Sequence, residues 1–257
     1  MLRFRSLGSG STGNATLIEA HGPQPFRLLV DCGFGLKQLT HRLALAHLTP
    51  HDIDAVFVTH EHGDHIGCAR GLSLGYRIPV WMSHGTHVAI GSPDFEGHLH
   101  IARDGEAIDL GAVQILPFTV PHDAREPLQL SCTDGNSKLG VLTDLGHATP
   151  HVLSHLAACD SLLLECNHDE DLLSKSAYPA FLKQRIAGPH GHLSNTVAAE
   201  ILSAVRHSQL RHLVAAHLSA QNNQPALVRT IMAATLSCAD DDIVVASADE
   251  GTGWLSV

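Results

Sequence analysis

The segment that most constrains the fold of this chain follows the apolar run Ala55–Val58, which predicts a buried strand. Directly after the run comes a dense set of side chains that can bind metal ions: His60, His62, Asp64 and His65. His60 and His62 stand two positions apart, so extended backbone sends both imidazoles to the same side, where they can bind one ion. Gly63 allows a turn that aims the next two candidates at a second ion. With 21 histidines in the chain, close pairs arise by chance, but the full pattern at a strand end favours a metal site.

Further acidic and imidazole side chains follow other predicted strands: Asp31, His122, Asp144 and His217. His122 fits a third ligand for the ion held by His60 and His62. Asp144 can bridge two ions, which a neutral imidazole cannot do; the alternative is a buried residue that only shapes a turn. Asp31 could be a ligand, but its expected role is to orient a metal-bound imidazole.

The segment His60-x-His62-x-Asp64-His65 resembles the signature of the metallo-β-lactamase superfamily of hydrolases. The superfamily's other landmarks appear in order over nearly the whole chain: Val30-Asp31-Cys32-Gly33, Val120-Pro121-His122-Asp123, Leu142-Thr143-Asp144-Leu145-Gly146 and Ala215-Ala216-His217-Leu218-Ser219. Three stretches are similar to the bacterial YycJ/WalJ-type proteins, described as DNA exonucleases: Ser6–Asn14, Leu164–Asp169 and Gly191–Asn195. The resemblance implies an α/β fold, a four-layer αβ/βα sandwich with the site at one edge, and an orienting role for Asp31.

The candidate ligands form two sets around a shared carboxylate. The expected sets are His60, His62 and His122 for one ion, and Asp64, His65 and His217 for the other, with Asp144 between them. Imidazole-rich ligation predicts two divalent ions per chain, zinc first, with manganese or iron as alternatives. Two such ions about 3.5–4 Å apart would share a hydroxide as the nucleophile for in-line attack.

Composition predicts one globular domain over residues 1–257, because 44% hydrophobic residues and 22 glycines suit a strand-rich chain of this length. The six cysteines show no paired spacing, so buried reduced thiols are expected. The first residues alternate apolar and basic, which predicts a strand rather than a secretory signal. We therefore expect a cytoplasmic protein with no membrane span and no obligate protein partner.

The periodicity predicts strands and helices in a mixed order. The predicted strands are 2–7, 15–20, 26–30, 55–59, 79–82, 113–120, 128–133, 138–143, 162–164, 210–216 and 243–247. The predicted helices are 36–48, 66–74, 150–158, 197–205 and 225–236, and a long helical region is expected over 169–187. The loop Gly8–Asn14 is either an anion-binding loop with free N–H groups or an ordinary hairpin loop.

The substrate class follows from the residues around the metal ligands. Phosphodiesterase branches of the superfamily, such as the transfer-RNA 3′-processing ribonucleases, carry a histidine just before a late helix, as His192 stands here. The residues after His122 depart from the pattern of the glyoxalase II branch, which weakens a thioester substrate. The net charge of −10 argues against tight non-specific DNA binding, although two divalent ions would place positive charge where a phosphate must sit.

The leading interpretation is a metal-dependent phosphodiesterase, first of all a DNA exonuclease with DNA as substrate. The residues expected to carry catalysis are His192 as general acid, Asp64 and Asp31. The alternatives are a hydrolase of a small ester, cyclic nucleotide or thioester, and a metal-binding regulatory protein without catalysis.

Overall fold

The computed structural model describes residues 1–22 and 24–257 and contains two large β-sheets flanked by helices. The strands are β1 (Leu2–Gly8), β2 (Ala15–His21), β3 (Pro25–Val30), β4 (Ala55–Phe57), β5 (Val80–Met82), β6 (Leu99–Ile101), β7 (Ile108–Asp109), β8 (Gln114–Thr119), β9 (Leu128–Thr133), β10 (Lys138–Leu142), β11 (Ser161–Glu165), β12 (His212–Ala216), β13 (Val244–Val245) and β14 (Leu255–Ser256). The helices are α1 (Leu36–Leu45), α2 (Gly63–Ile66), α3 (Ala69–Tyr76), α4 (His84–Ala89), α5 (Pro150–Leu156), α6 (Glu170–Lys175), α7 (Ala180–Ile186), α8 (Asn195–Val205) and α9 (Pro225–Leu236). No helix among these residues combines the length and the apolar character needed to cross a bilayer.

The two sheets share one pattern of strand pairing. The first has the order β14-β1-β2-β3-β4-β5-β6, and the second has the order β13-β12-β11-β10-β9-β8-β7. Each sheet contains three antiparallel and three parallel pairs; in these orders the antiparallel pairs come first in the first sheet and last in the second. The parallel strands carry apolar residues on both faces, as expected for strands that are covered on both sides. Their carboxyl ends are where ligand sites of such sheets form.

Alternation along the strands builds the layers. Leu28 and Val30 of β3 belong to the core between the two sheets, whereas Leu29 faces α1 and α3. A third core lies between the second sheet and α5, α8 and α9. Three cores separate four layers in the order helix, sheet, sheet, helix. The predicted four-layer αβ/βα sandwich is thus confirmed.

One predicted helix is broken at a glycine. Residues 66–74 were expected to form a single helix, but α2 ends at Ile66 and α3 begins at Ala69. Gly67 has φ +32°, and a Cβ there would collide with the backbone oxygen of Cys32. The break therefore lets the chain pack tightly against the loop after β3.

The helical region predicted over 169–187 contains two helices. It divides into α6 and α7, with Pro179 standing directly before α7. A proline lacks the N–H needed inside a helix and disfavours helical backbone at the preceding residue. The expectation of buried thiols fails at Cys238, which is exposed, and at Cys68, which is half-buried; all six cysteines are free thiols.

Candidate metal centre and proton-donor pair

Seven side chains predicted as ligands converge at one edge of the sandwich. They come from the loop after β4, from α2 and from the residues after β8, β10 and β12. Among the described residues, ligand atoms within 4.8 Å of one another form four groups: His60, His62 and His122; Asp64, His65 and His217; His60, His65 and Asp144; and Asp144, Glu165, His192 and His217. The first two groups have the same members as the two predicted ligand sets. The structure thus brings the residues together, while their role in binding metal stays a prediction.

Left-handed backbone shapes this edge. Asp31, Asp144 and His217 have φ values of 61°, 54° and 55°, which are uncommon for residues other than glycine. Each follows the end of a strand in the parallel part of its sheet. Strained backbone of this kind persists where surrounding structure holds it, and it concentrates at functional sites.

The centre of the cluster has polar atoms without partners. Within the described residues, Asp144 Oδ2 and His217 Nε2 are buried and form no hydrogen bond. Asp144 Oδ2 lies 2.9 Å from Nε2 of His65, whose Nδ1 lies 2.7 Å from Asp31 Oδ2. If Nδ1–H donates to Asp31, Nε2 of a neutral His65 presents a lone pair to a carboxylate oxygen. A cation between these acceptors removes that conflict, so the residues fit divalent metal ions.

The charges in the cluster support the same conclusion. Burial opposes a charged imidazole, but the carboxylate of Asp144 outweighs it and raises the pKa of His217 to about 10, helped by Asp64 and Glu165. Asp144 and Asp31 likewise overcome burial and raise the pKa of His65 well above its ordinary value. The protein alone thus holds protons where positive charge is needed, and a metal ion can replace them.

Neighbouring groups fix the orientation of the candidate ligands. The Asp31 carboxylate accepts hydrogen bonds from the backbone N–H of Thr59 at 2.8 Å and from its hydroxyl at 2.9 Å, besides its contact with His65. Nδ1 of His122 lies 3.1 Å from the carbonyl oxygen of Gly191. An Nδ1–H donor leaves Nε2 free for metal, which is the arrangement that orients metal-binding histidines.

Glu165, at the end of β11, was missed as a site residue. It is completely buried, and its Oε1 lies 2.8 Å from Nδ1 of His192 and 3.0 Å from Nδ1 of His217. Oε2 accepts the backbone N–H groups of Leu145 at 2.9 Å and Leu193 at 3.2 Å. Burial alone would raise the pKa of this carboxyl, but His192 and His217 lower it to about 2. Glu165 is therefore a fixed negative charge that holds two imidazoles.

His192 lies beside the cluster, where the general acid was predicted. Its side chain is 23% exposed, and its ring centroid is 5.4 Å from that of His122 and 5.3 Å from that of His217. Although burial acts in the opposite direction, Glu165 and Asp144 raise the pKa of His192. Ser194 caps α8 by accepting the N–H of Val197. The imidazole thus borders solvent and is biased towards the protonated form.

The loop Gly8–Asn14 supports the site through its side chains. Five of its N–H groups already donate within the protein, namely those of Gly8, Ser9, Gly10, Gly13 and Asn14. Ser9 Oγ accepts the N–H of His217 at 2.8 Å, and Asn14 Nδ2 donates to the carbonyl oxygen of Asp64 at 3.2 Å. This arrangement does not present a row of free N–H groups to an anion. His84 and His87 lie in α4, where Nε2 of His87 lies 3.0 Å from the carbonyl oxygen of Pro93, outside the cluster.

Comparison with known proteins identifies the family. The family model of the β-lactamase superfamily domain matches residues 26–218, a range that includes every predicted metal ligand. The chain belongs to the metallo-β-lactamase superfamily. It is 33% identical over 232 residues to the exodeoxyribonuclease YycJ of Bacillus anthracis, covering 89% of this chain and 86% of that protein. It is 32% identical over 243 residues to the exodeoxyribonuclease WalJ of Streptococcus pneumoniae, covering 93% and 89%.

A solved structure shows the same superfamily fold. The crystal structure of the metallo-β-lactamase fold protein YhfI from Bacillus subtilis matches with a TM-score of 0.74 and 16% identity, covering both chains completely. At that identity the likeness concerns the fold alone. The sequence relatives place the chain in the YycJ/WalJ group of this superfamily, a group of metal-dependent hydrolases.

Proposed function

We propose that this superfamily member is a dinuclear-metal-dependent phosphodiesterase, and first of all a DNA exonuclease. The observation that carries the proposal is the pair formed by Glu165 and His192 beside the metal-ligand cluster. A phosphodiester in DNA leaves through a sugar oxygen, which is a poor leaving group and needs a proton. A raised imidazole pKa at the edge of the cluster suits that task. The relatives named exodeoxyribonucleases support the choice of DNA.

The proposed ligands fit two ions. His60, His62 and His122 would hold one, Asp64, His65 and His217 the other, and Asp144 would lie between them. Five imidazoles and two carboxylates favour zinc, with manganese or iron as alternatives. When bound, two divalent ions supply an activated water and stabilise the negative charge that develops on the phosphoryl oxygens.

The side chains of the protein would orient the metal ligands and supply the proton for the leaving group. Asp31 holds His65 in place through Nδ1, and Glu165 does the same for His217 and His192. As water attacks phosphorus and the bond to the sugar oxygen breaks, Nε2–H of His192 donates its proton to that departing oxygen. Asp64, whose side chain is 25% exposed, combines a ligand role with a place at the opening where the substrate enters.

The test is digestion of end-labelled DNA by the pure, metal-loaded protein. Single-stranded and double-stranded DNA, RNA, bis(p-nitrophenyl) phosphate and a small thioester are compared with and without chelator. Release of nucleotides from DNA ends, abolished by chelator, supports the proposal. Thioester hydrolysis without DNA or RNA cleavage would favour the small-molecule alternative, and metal binding without any hydrolysis would favour a regulatory protein. The cytoplasmic location and the single domain stay predictions.

A further inference from the structure

The connection between β11 and β12 is longer than its topology requires. These two strands are parallel neighbours, and α8 alone provides a crossover helix between them. The chain nevertheless adds α6 and α7 before α8. No residue of α7 is fully buried, so this helix adds little to the core.

Helix α7 lies next to the metal-ligand cluster. The N–H of His192 donates to the carbonyl oxygen of Ile186, the last residue of α7, at 2.8 Å. The N–H of Asp123, which follows the candidate ligand His122, donates to the carbonyl oxygen of His190 at 2.9 Å. Arg185 Nε lies 2.6 Å from Asp123 Oδ2. The segment that contains α7 is thus bonded both to His192 and to the residue after His122, on two sides of the metal-ligand cluster.

The outer face of α7 presents an aromatic ring and a guanidinium one turn apart. Phe181 and Arg185 are both exposed and stand at positions i and i+4, on the same face of the helix. Phe181 is 71% exposed, and among the described residues it is the only aromatic Phe, Tyr or Trp side chain in the exposed class. Arg185 lies nearer the cluster, and Phe181 lies about 6 Å further along the helix axis.

The charges of α7 suit a polyanion. The chain carries a formal net charge of −10, yet α7 contains Lys183 and Arg185 and no acidic residue. Arg185 offsets the charge of Asp123, a carboxylate beside the candidate ligand His122 that belongs to neither ligand set. A negatively charged strand can therefore approach the cluster along α7 without meeting an acidic side chain of that helix.

We propose that Phe181 and Arg185 form a subsite for the unpaired end of single-stranded DNA. The base next to the scissile phosphate stacks on the ring of Phe181, and Arg185 contacts the backbone between that base and the metal centre. Exposed aromatic rings bind bases of any sequence in this way. The subsite rests on the proposed function, because it places a nucleotide relative to a phosphodiester held at the cluster.

The test uses a single-stranded oligothymidylate with 2-aminopurine near its end, because the fluorescence of this base falls when it stacks. Metal-loaded protein is mixed in a stopped-flow instrument, and the Kd is taken from the binding phase before cleavage. Phe181→Ala should remove most of the quenching and raise the Kd about 5- to 100-fold, whereas Phe181→Trp should retain both. Arg185→Ala should raise the Kd and reduce the slope of log Kd against log salt by about one.

Matched controls are Leu45→Ala and Arg103→Ala, which remove an exposed apolar side chain and an exposed arginine elsewhere. Both should behave like the wild type. Wild-type protein that cleaves DNA, together with a Phe181→Ala variant of unchanged quenching and Kd, would overturn the subsite alone. That result is also expected if α7 binds a partner protein. Wild-type protein that neither binds nor cleaves DNA would overturn the proposed function. Circular dichroism and metal content confirm that each variant is folded.

Discussion

Replacing Glu165 by glutamine tests the centre of the proposed chemistry with little change in shape. The carboxylate accepts four hydrogen bonds, two on each oxygen, from His192, His217 and the N–H groups of Leu145 and Leu193. An amide has only one acceptor oxygen. Whichever way the glutamine turns, its NH₂ group faces two donors, so two buried donors lose their partner.

The loss of unfolding free energy expected for Glu165→Gln can be estimated in two ways. Two unsatisfied buried donors cost about 1–3 kcal/mol each, or about 2–6 kcal/mol together. The second estimate uses the pKa of Glu165, which is lowered from 4.5 to about 2 in the folded protein. That gap corresponds to about 3 kcal/mol favouring the ionised form, and glutamine resembles the neutral form. Both estimates agree on a loss of about 3 kcal/mol at neutral pH.

The sign of the pH dependence follows from the lowered pKa. The stabilisation by Glu165 is fully present above about pH 4.5 and is lost as the pH falls towards 2. Urea unfolding of the metal-free proteins should therefore show a difference between wild type and Glu165→Gln that is largest at neutral pH and shrinks in acid. Equal stabilities at pH 7 would refute the assigned hydrogen bonds.

The same substitution has a kinetic consequence. Glu165 raises the pKa of His192 against the effect of burial, so its neutralisation should lower that pKa. A general acid works only while protonated. The alkaline limb of the pH–rate profile for DNA cleavage should therefore move to lower pH in Glu165→Gln. An unmoved limb, with metal content intact, would show that His192 is not the acid.

Four further outcomes are expected. His60→Ala and Asp64→Ala should each lose metal, measured by elemental analysis, and activity; full metal content and activity in both would contradict the ligand sets. His192→Ala should cut DNA cleavage by about 100-fold or more at unchanged metal content and affect bis(p-nitrophenyl) phosphate much less, since nitrophenolate leaves without protonation; equal losses would indicate a positioning role. Metal binding at pH 8 should release protons, because the pKa of His217 is about 10 without metal. Titration calorimetry in two buffers of different ionisation enthalpy detects this release. Identical binding heats in the two buffers, corrected for dilution, would contradict it. DNA affinity should collapse in chelator and show a shallow salt slope; a steep slope with metal-free binding intact would mean that the substrate is held elsewhere.

The sequence predicted the elements that depend on local information. Leu28, Leu29 and Val30 form a continuous apolar run, and the structure places these residues in a strand with two buried faces. The ligand candidates between His60 and His65 could also be predicted from the local sequence, because four of them lie within six positions. His122 was predicted from its place at a strand end and lies in the same cluster.

The missed features depend on contacts between distant residues. Glu165 ends an apolar strand, as many solvent-facing acids do, and its role depends on His192 and His217, which stand 27 and 52 positions away. The helix break at Gly67 depends on a backbone oxygen of Cys32, far from it in sequence. The carboxyl-terminal strand β14 has two residues and forms only because β1 offers a free edge.

The repeated sheet pattern has a mechanical consequence. In each candidate ligand set, two members follow β4 of the first sheet and one follows a strand of the second sheet. An ion held by either set would therefore clamp the two sheets together at one edge, linking residues such as His62 and His122, which stand 60 positions apart. Removing metal should free that edge and leave the antiparallel parts of both sheets closed. Hydrogen exchange after chelation should therefore accelerate around His60 and His217, while the amides of β1 and β2 keep their protection.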